Sequence, residues 1–358
     1  MKNPFNSWRD DLPASIVVFF VALPLCLGIG LASTTVEGFN PIPISGLIAG
    51  IIGGVVVGLI SNSRLGVSGP AAGLITVVIS SISLLGSFNA FLLALVLAGF
   101  FQLIFALLRA GIVANYLPSG VIKGMLAAIG ITLILKEIPH LLGYDKDFFG
   151  DESFWQFDGH NTFSELFYAF NAFELGAVII GILSVAILIL FDTKALKSKN
   201  WTTYIPGALV VVIMGILLNL VFSSNLKLSE QHLVQLPIIH HFKELTAILN
   251  TPDYSQIFSV KIWTVALTIA LVGSLETLLS VEATDKLDPK KHKTDPNKEL
   301  RAQGIGNLVS GFIGGLPITQ VIVRSSANIA ANGQSKFAAI IHGLLLLIAL
   351  LFLGPILN

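Results

Sequence analysis

Charge is what this chain has little of. Of its 358 residues 12% are Asp, Glu, Lys or Arg and 54% are hydrophobic, where a soluble domain carries about a quarter charged. A water-soluble globule of this length is excluded. Cysteine is scarcer still: Cys26 stands alone, so neither an internal disulfide nor a cysteine-based metal centre is available. No cleavable secretory signal is evident, because the first apolar run (14–33) is long enough to span a bilayer and no small-residue cleavage site follows. A glycine-rich nucleotide loop is missing too, since Gly314-Gly315 is too short and sits inside an apolar segment. No hydrolytic, redox or nucleic-acid-binding pattern stands out. The chain does not read as an enzyme, and a coupling ion, Na+ or H+, is the one cofactor to consider.

Apolar runs are abundant. A membrane helix needs about 20 apolar residues, and eleven spans can be read: 14–33, 43–60, 67–84, 88–108, 114–135, 174–191, 203–223, 261–283, 300–315, 318–333 and 336–355. The fold class is an all-α polytopic membrane protein embedded in lipid. With the N-terminus cytoplasmic, fourteen of the 21 Lys and Arg fall on the inside, five outside and two, Lys123 and Arg324, within spans. That bias sets the expected orientation, in a bacterial cytoplasmic membrane. Two excursions lie outside. Segment 136–173 is acidic. Segment 224–260 carries His232, His240 and His241, which read as a solvated loop because no helical i, i+4 His pair accompanies them.

Two of the spans look broken. In Asn62 to Ser80 a short extended piece, Leu65 to Ser68, precedes Gly69 and Pro70. Proline suits the first turn of a helix and disrupts its interior, so a half-helix is expected to start near Pro70. In the second, Gly314, Gly315 and Pro317 lead into the β-branched run Ile318 to Val323, with helix expected from about Arg324 to Ala331. Interrupted segments in separate halves of one chain point to a transporter site at the bilayer midplane. Each half-helix start exposes unsatisfied N–H groups and partial positive charge. Two such ends facing each other would bind an anion. The same anion would neutralise Arg324, otherwise costly in a membrane; a salt bridge to Glu276 or Glu282 is the structural alternative. Glu276 is an intramembrane carboxylate with Ser280 four residues on, so both share a helix face and could meet one small cation. Lys123 reads as snorkelling, His342 as a packing histidine, and Asn328 as a neighbour of the guanidinium.

Three stretches carry a family resemblance: Asp11 to Ser33, Ser68 to Gly73, and Gly304 to Gly333. The chain resembles the SulP (sulfate permease) family of inorganic anion transporters. Its segment Leu271 to Lys286 is most similar to the bacterial sodium-coupled bicarbonate branch. The resemblance implies a seven-plus-seven inverted-repeat fold, with half-helices at the third and tenth spans, elevator-type movement, a homodimer and a cytoplasmic STAS domain. On this chain 1–223 would be the first repeat (spans one to seven), 224–260 an extracytoplasmic connection, and 261–358 an incomplete second repeat (spans eight to eleven). The last helices and the STAS domain would then be absent. Substrate-binding positions implied are Gly69, Pro70, Ala71, Ala72, Gln320, Val321, Ile322 and Arg324, with Leu23 and Leu25 lining the same pocket. Glu276 and Ser280 would take the coupling ion. The family often has glutamine where Leu25 stands, and the bicarbonate branch has Asp and Thr where Glu276 and Ser280 stand. The expected activity is sodium-coupled bicarbonate uptake. Proton-coupled sulfate or oxyanion transport, chloride exchange, and a non-transporting anion sensor or scaffold remain open beside it.

Overall fold

The computed structural model describes residues 7–36, 42–116, 118–146, 150, 154, 160–197, 205–222, 226–228 and 249–353. His232, His240 and His241 lie outside the described residues. In chain order the long elements are α1 (Trp8–Thr34), α2 (Ile44–Ile60), β1 (Ser68–Pro70), α3 (Ile75–Leu85), α4 (Phe88–Leu107), α5 (Ser119–Leu142), α6 (Thr162–Asn171), α7 (Leu175–Asp192), α8 (Gly207–Val221), α9 (Val260–Leu287), α10 (Pro296–Ile313), β2 (Ile318–Gln320), α11 (Ile322–Ala330) and α12 (Phe337–Ile348). Four of them, α1, α4, α7 and α9, are each long and apolar enough to cross a membrane unaided.

Contacts divide the chain into two units. The first comprises 1–123, 149–151 and 236–357; the second comprises 124–148 and 152–235. In the first, α4 packs along α9 and α10, while α1 packs on α2, α11 and α12. Close approach rests on small residues, as expected where lipid removes the hydrophobic drive between helices. Gly99 of α4 lies against Gly304 of α10, and Gly54 of α2 against Gly343 of α12. Lys123, at the edge of this unit, is exposed. In the second unit α7 and α8 pack on each other and expose most of their apolar side chains.

Both broken spans are broken as the glycines and prolines suggested, with shifted boundaries. Ser68–Pro70 and Ile318–Gln320 pair as an antiparallel two-stranded ribbon, with Ser68 opposite Gln320, Gly69 opposite Thr319 and Pro70 opposite Ile318. Pro70 therefore ends a strand and does not open a helix. Ala71 is still extended, a single 3-10 turn covers Ala72–Leu74, and α3 begins at Ile75. The reason is tertiary: the partner strand offers ladder bonds that a lone half-helix could not have. The second helix starts two residues earlier than expected, at Ile322, which puts Arg324 at its third position.

Candidate functional site

Irregular backbone at membrane depth must find internal hydrogen-bond partners, and here polar side chains supply them. Asn307 of α10 behaves as a third strand, accepting from Ile318 N at 2.7 Å and donating to Ile318 O at 3.1 Å. Its amide also donates to Gln102 of α4 at 2.8 Å. Ser310 Oγ donates to Leu316 O at 2.7 Å. Across the ribbon, Ser325 Oγ accepts from Val67 N at 3.0 Å, and Asn328 Nδ2 donates to Leu65 O at 3.0 Å. So Asn328 serves the strand approach. The ladder is extended by Val321 N to Val67 O (2.9 Å) and Ala71 N to Pro317 O (3.3 Å).

Arg324 lies inside this framework, fully buried. Its guanidinium rests on Gly69, where any Cβ would collide with Nη1. The Cys26 thiol of α1 and the His342 ring of α12 flank it. His342 donates through Nδ1 to Ala339 O at 2.7 Å, which is a packing bond within its own helix. None of the three guanidinium nitrogens meets a nitrogen or oxygen partner among the described residues, and the Cys26 thiol is the polar group within reach of them. The salt bridge to Glu276 or Glu282 is not formed.

Glu276 sits on α9, half-buried. Its carboxyl group lies against Gly73, in the turn that opens α3: a Cβ there would meet the carboxyl carbon at 3.2 Å. Ser274, Thr277, Ser280 and Thr284 line the buried face of the same helix. Gln320 of β2 reaches that face, with Nε2 3.0 Å from Thr284 Oγ1 and 3.5 Å from Ser280 O.

The structure therefore brings Gly69 to Arg324, and Gln320 to the Ser280 turn. Pro70 and Ala71 are buried between β1 and α3, and Ala72 opens the 3-10 turn. Val321 and Ile322 lead into α11. Leu23 is buried; Leu25 is half-buried against Gly150. The α1 side chain beside Arg324 is Cys26, which nothing in the sequence singled out. The stripe Glu299, Gln303, Asn307 on α10 was also passed over, although its i, i+4 spacing of polar residues on a membrane helix was a readable signal.

The sulfate permease family pattern matches residues 8–358. The chain belongs to the sulfate permease family. Among curated relatives, it is 28% identical over 350 residues to a Bacillus subtilis protein named "Putative sulfate transporter YvdB", covering 98% of this chain and 61% of that one. It is 25% identical to the bicarbonate transporter BicA of Picosynechococcus, covering 98% and 58%. The chain thus spans about three-fifths of the length of these relatives. Among solved structures it is similar to the transmembrane domain of a cyanobacterial BicA, with a TM-score of 0.67 at 22% identity, covering 99% of this chain and 86% of that one. The murine anion transporter Slc26a9 in its inward-facing state gives 0.63 at 17% identity, covering 100% and 58%. At these identities the likeness speaks to the fold. The relatives' names are those of membrane transporters.

Proposed function

We propose that this chain forms the membrane part of a secondary active transporter of a small inorganic anion, with sodium-driven bicarbonate uptake as the leading reaction. One observation carries the proposal. Arg324 is a fully buried cation whose guanidinium meets no nitrogen or oxygen partner among the described residues, set beside two strands that each lead into a helix start. Those starts direct N–H donors and partial positive charge to the same region, so a small oxyanion offsets the cost of burying the guanidinium. Backbone N–H groups at Ala72 and Ile322 would donate, Ala71 and Val321 would line the site with their own N–H groups held in the ladder, and Gly69 keeps the strand close enough to the charge. Pro70, Gln320, Leu23 and Leu25 complete the proposed substrate positions.

Glu276 with Ser280 is the proposed coupling site. A carboxylate against the first turn of α3 is placed to answer both a cation and the anion bound beyond that turn. Names such as that of YvdB favour a second reading, sulfate transport, which we pair with proton coupling at Glu276. In either case we assign the whole protein an inverted-repeat, elevator-type cycle in a homodimer, with residues 1–223 as the first repeat and 261–358 as part of the second. The bacterial cytoplasmic membrane and a cytoplasmic N-terminus belong to the same proposal.

The test is uptake of radiolabelled bicarbonate and sulfate into proteoliposomes holding the full-length protein, with and without a sodium gradient. Sodium-dependent bicarbonate uptake, lost in Glu276→Gln, is the expected result. Proton-driven sulfate uptake would keep the anion site and change the substrate. Anion binding with no flux of either would leave a sensor.

A further inference from the structure

The transport reading leaves several buried acids unused, Asp11, Glu165, Asp288 and Glu299 among them. Glu299, in the first turns of α10, is fully buried. Its carboxyl group meets Ser61 Oγ on one side and takes a hydrogen bond of 2.8 Å from Gln303 Nε2 on the other. Both partners are neutral, and Glu299 forms no ion pair among the described residues. From α9 the charged group bearing on it is Asp285, itself a carboxylate, hydrogen-bonded to Thr294 N at 2.6 Å and Thr294 Oγ1 at 2.8 Å. The cations nearest in sequence, Arg64, Lys298 and Arg301, are exposed, and Lys336, before α12, turns its ammonium to the carbonyl oxygens of Leu59 (2.8 Å) and Ser61 (3.4 Å) and not to the carboxyl group. An ionised carboxylate so placed has neither water nor a counter-charge. A protonated one is a neutral group whose hydrogen bonds are made.

The same Gln303 nitrogen that meets Glu299 lies 2.9 Å from Ser68 Oγ, on the first residue of β1. One amide therefore links the buried acid to the strand that carries Gly69 against Arg324. We propose that Glu299 is a proton-binding site separate from Glu276, and that its proton keeps the strand crossing seated as it stands. Ionisation would draw the Gln303 amide toward the charge, since hydrogen bonds to ionised groups are the stronger ones. The bond to Ser68 would loosen, and β1 with it. Proton release at Glu299 thus disturbs the place where Gly69 meets the guanidinium. The effect on flux rests on the transporter reading; the protonation itself does not.

The experiment is infrared difference spectroscopy of the full-length protein in lipid, between neutral and alkaline pH. The expected result is a carboxylic-acid C=O band that disappears on alkalinisation, is absent in Glu299→Gln and persists in Glu276→Gln. No such band, or one that survives Glu299→Gln, overturns the proposal. Should Glu299→Gln fail to fold, Ser61→Ala serves: removing a hydrogen-bond partner of the acid must shift the band, and an unshifted band overturns the proposal. Uptake of whichever anion the protein moves, referred to the concentration of the anionic species, supplies the second readout. Wild-type uptake falls on the alkaline side while Glu299→Gln holds it level. A uniform, pH-independent loss in the variant would mark a structural role and sink the idea. If neither bicarbonate nor sulfate moves, the transporter reading fails while the infrared band still decides the proton.

Discussion

Arg324 and Gly69 are best considered together. The guanidinium occupies the space that a side chain at position 69 would need, so the glycine is required by contact and not by backbone conformation. A charge buried without a counter-charge is among the costliest arrangements in a membrane, and a polar group so placed points to function. Arg324→Ala is expected to weaken anion binding by about 1.5–3 kcal/mol, the worth of hydrogen bonds to a charged group, which is tenfold or more in Kd. Gly69→Ala should weaken binding in the same direction with the charge retained, because the guanidinium must move. An anion titration of the purified protein checks both, and unchanged affinity in Arg324→Ala would remove the arginine from the site.

At the scale of elements, a short two-stranded ribbon is unusual in a bilayer because its edges leave backbone groups unpaired. Here the edge of β2 is closed by Asn307, whose side chain pairs both polar groups of Ile318. Ser325 and Asn328 do the corresponding work before β1. Asn307→Ala removes the pairing without adding bulk at this buried position. It should cost about 1–3 kcal/mol for each backbone group left unsatisfied, read as a lower thermal midpoint of the protein in lipid or detergent. A midpoint equal to wild type would mean that the ribbon does not need this support.

For the whole molecule, stability against pH is a property of the complete unfolding equilibrium, and the second unit contributes a term of definite sign. His140, after the expected end of the fifth span, pairs closely with Asp145. Burial opposes its charge, but the hydrogen bond and the charges of Asp145, Glu137 and Glu165 outweigh this, so its pKa is raised. A raised pKa contributes stability that is full below the ordinary histidine value of about 6.5 and is lost as pH rises through the higher folded value. Thermal midpoints should therefore fall from mildly acidic to alkaline pH, and His140→Gln should flatten part of that slope. An unaltered slope in the variant would assign the pH dependence elsewhere.

Periodicity and composition alone determined the membrane class, most of the spans to within a few residues, and the two broken segments, because the bilayer imposes long apolar runs and proline and glycine interrupt them locally; the fifth span, expected at 114–135, instead runs from Ser119 to Leu142. Arg324 and Glu276 were legible for the same reason: a charged residue in an apolar run stands out without any knowledge of its neighbours, whereas Gly69 and Gln320 came as site positions from the family resemblance. The partners were not legible. That Pro70 ends a strand, that Asn307 substitutes for one, that Cys26 and not a carboxylate faces Arg324, and that Gln303 joins Glu299 to Ser68 all depend on residues tens to hundreds of positions apart. Only packing decides those contacts, since each backbone or side-chain group takes whichever hydrogen-bond partner the folded chain brings to it.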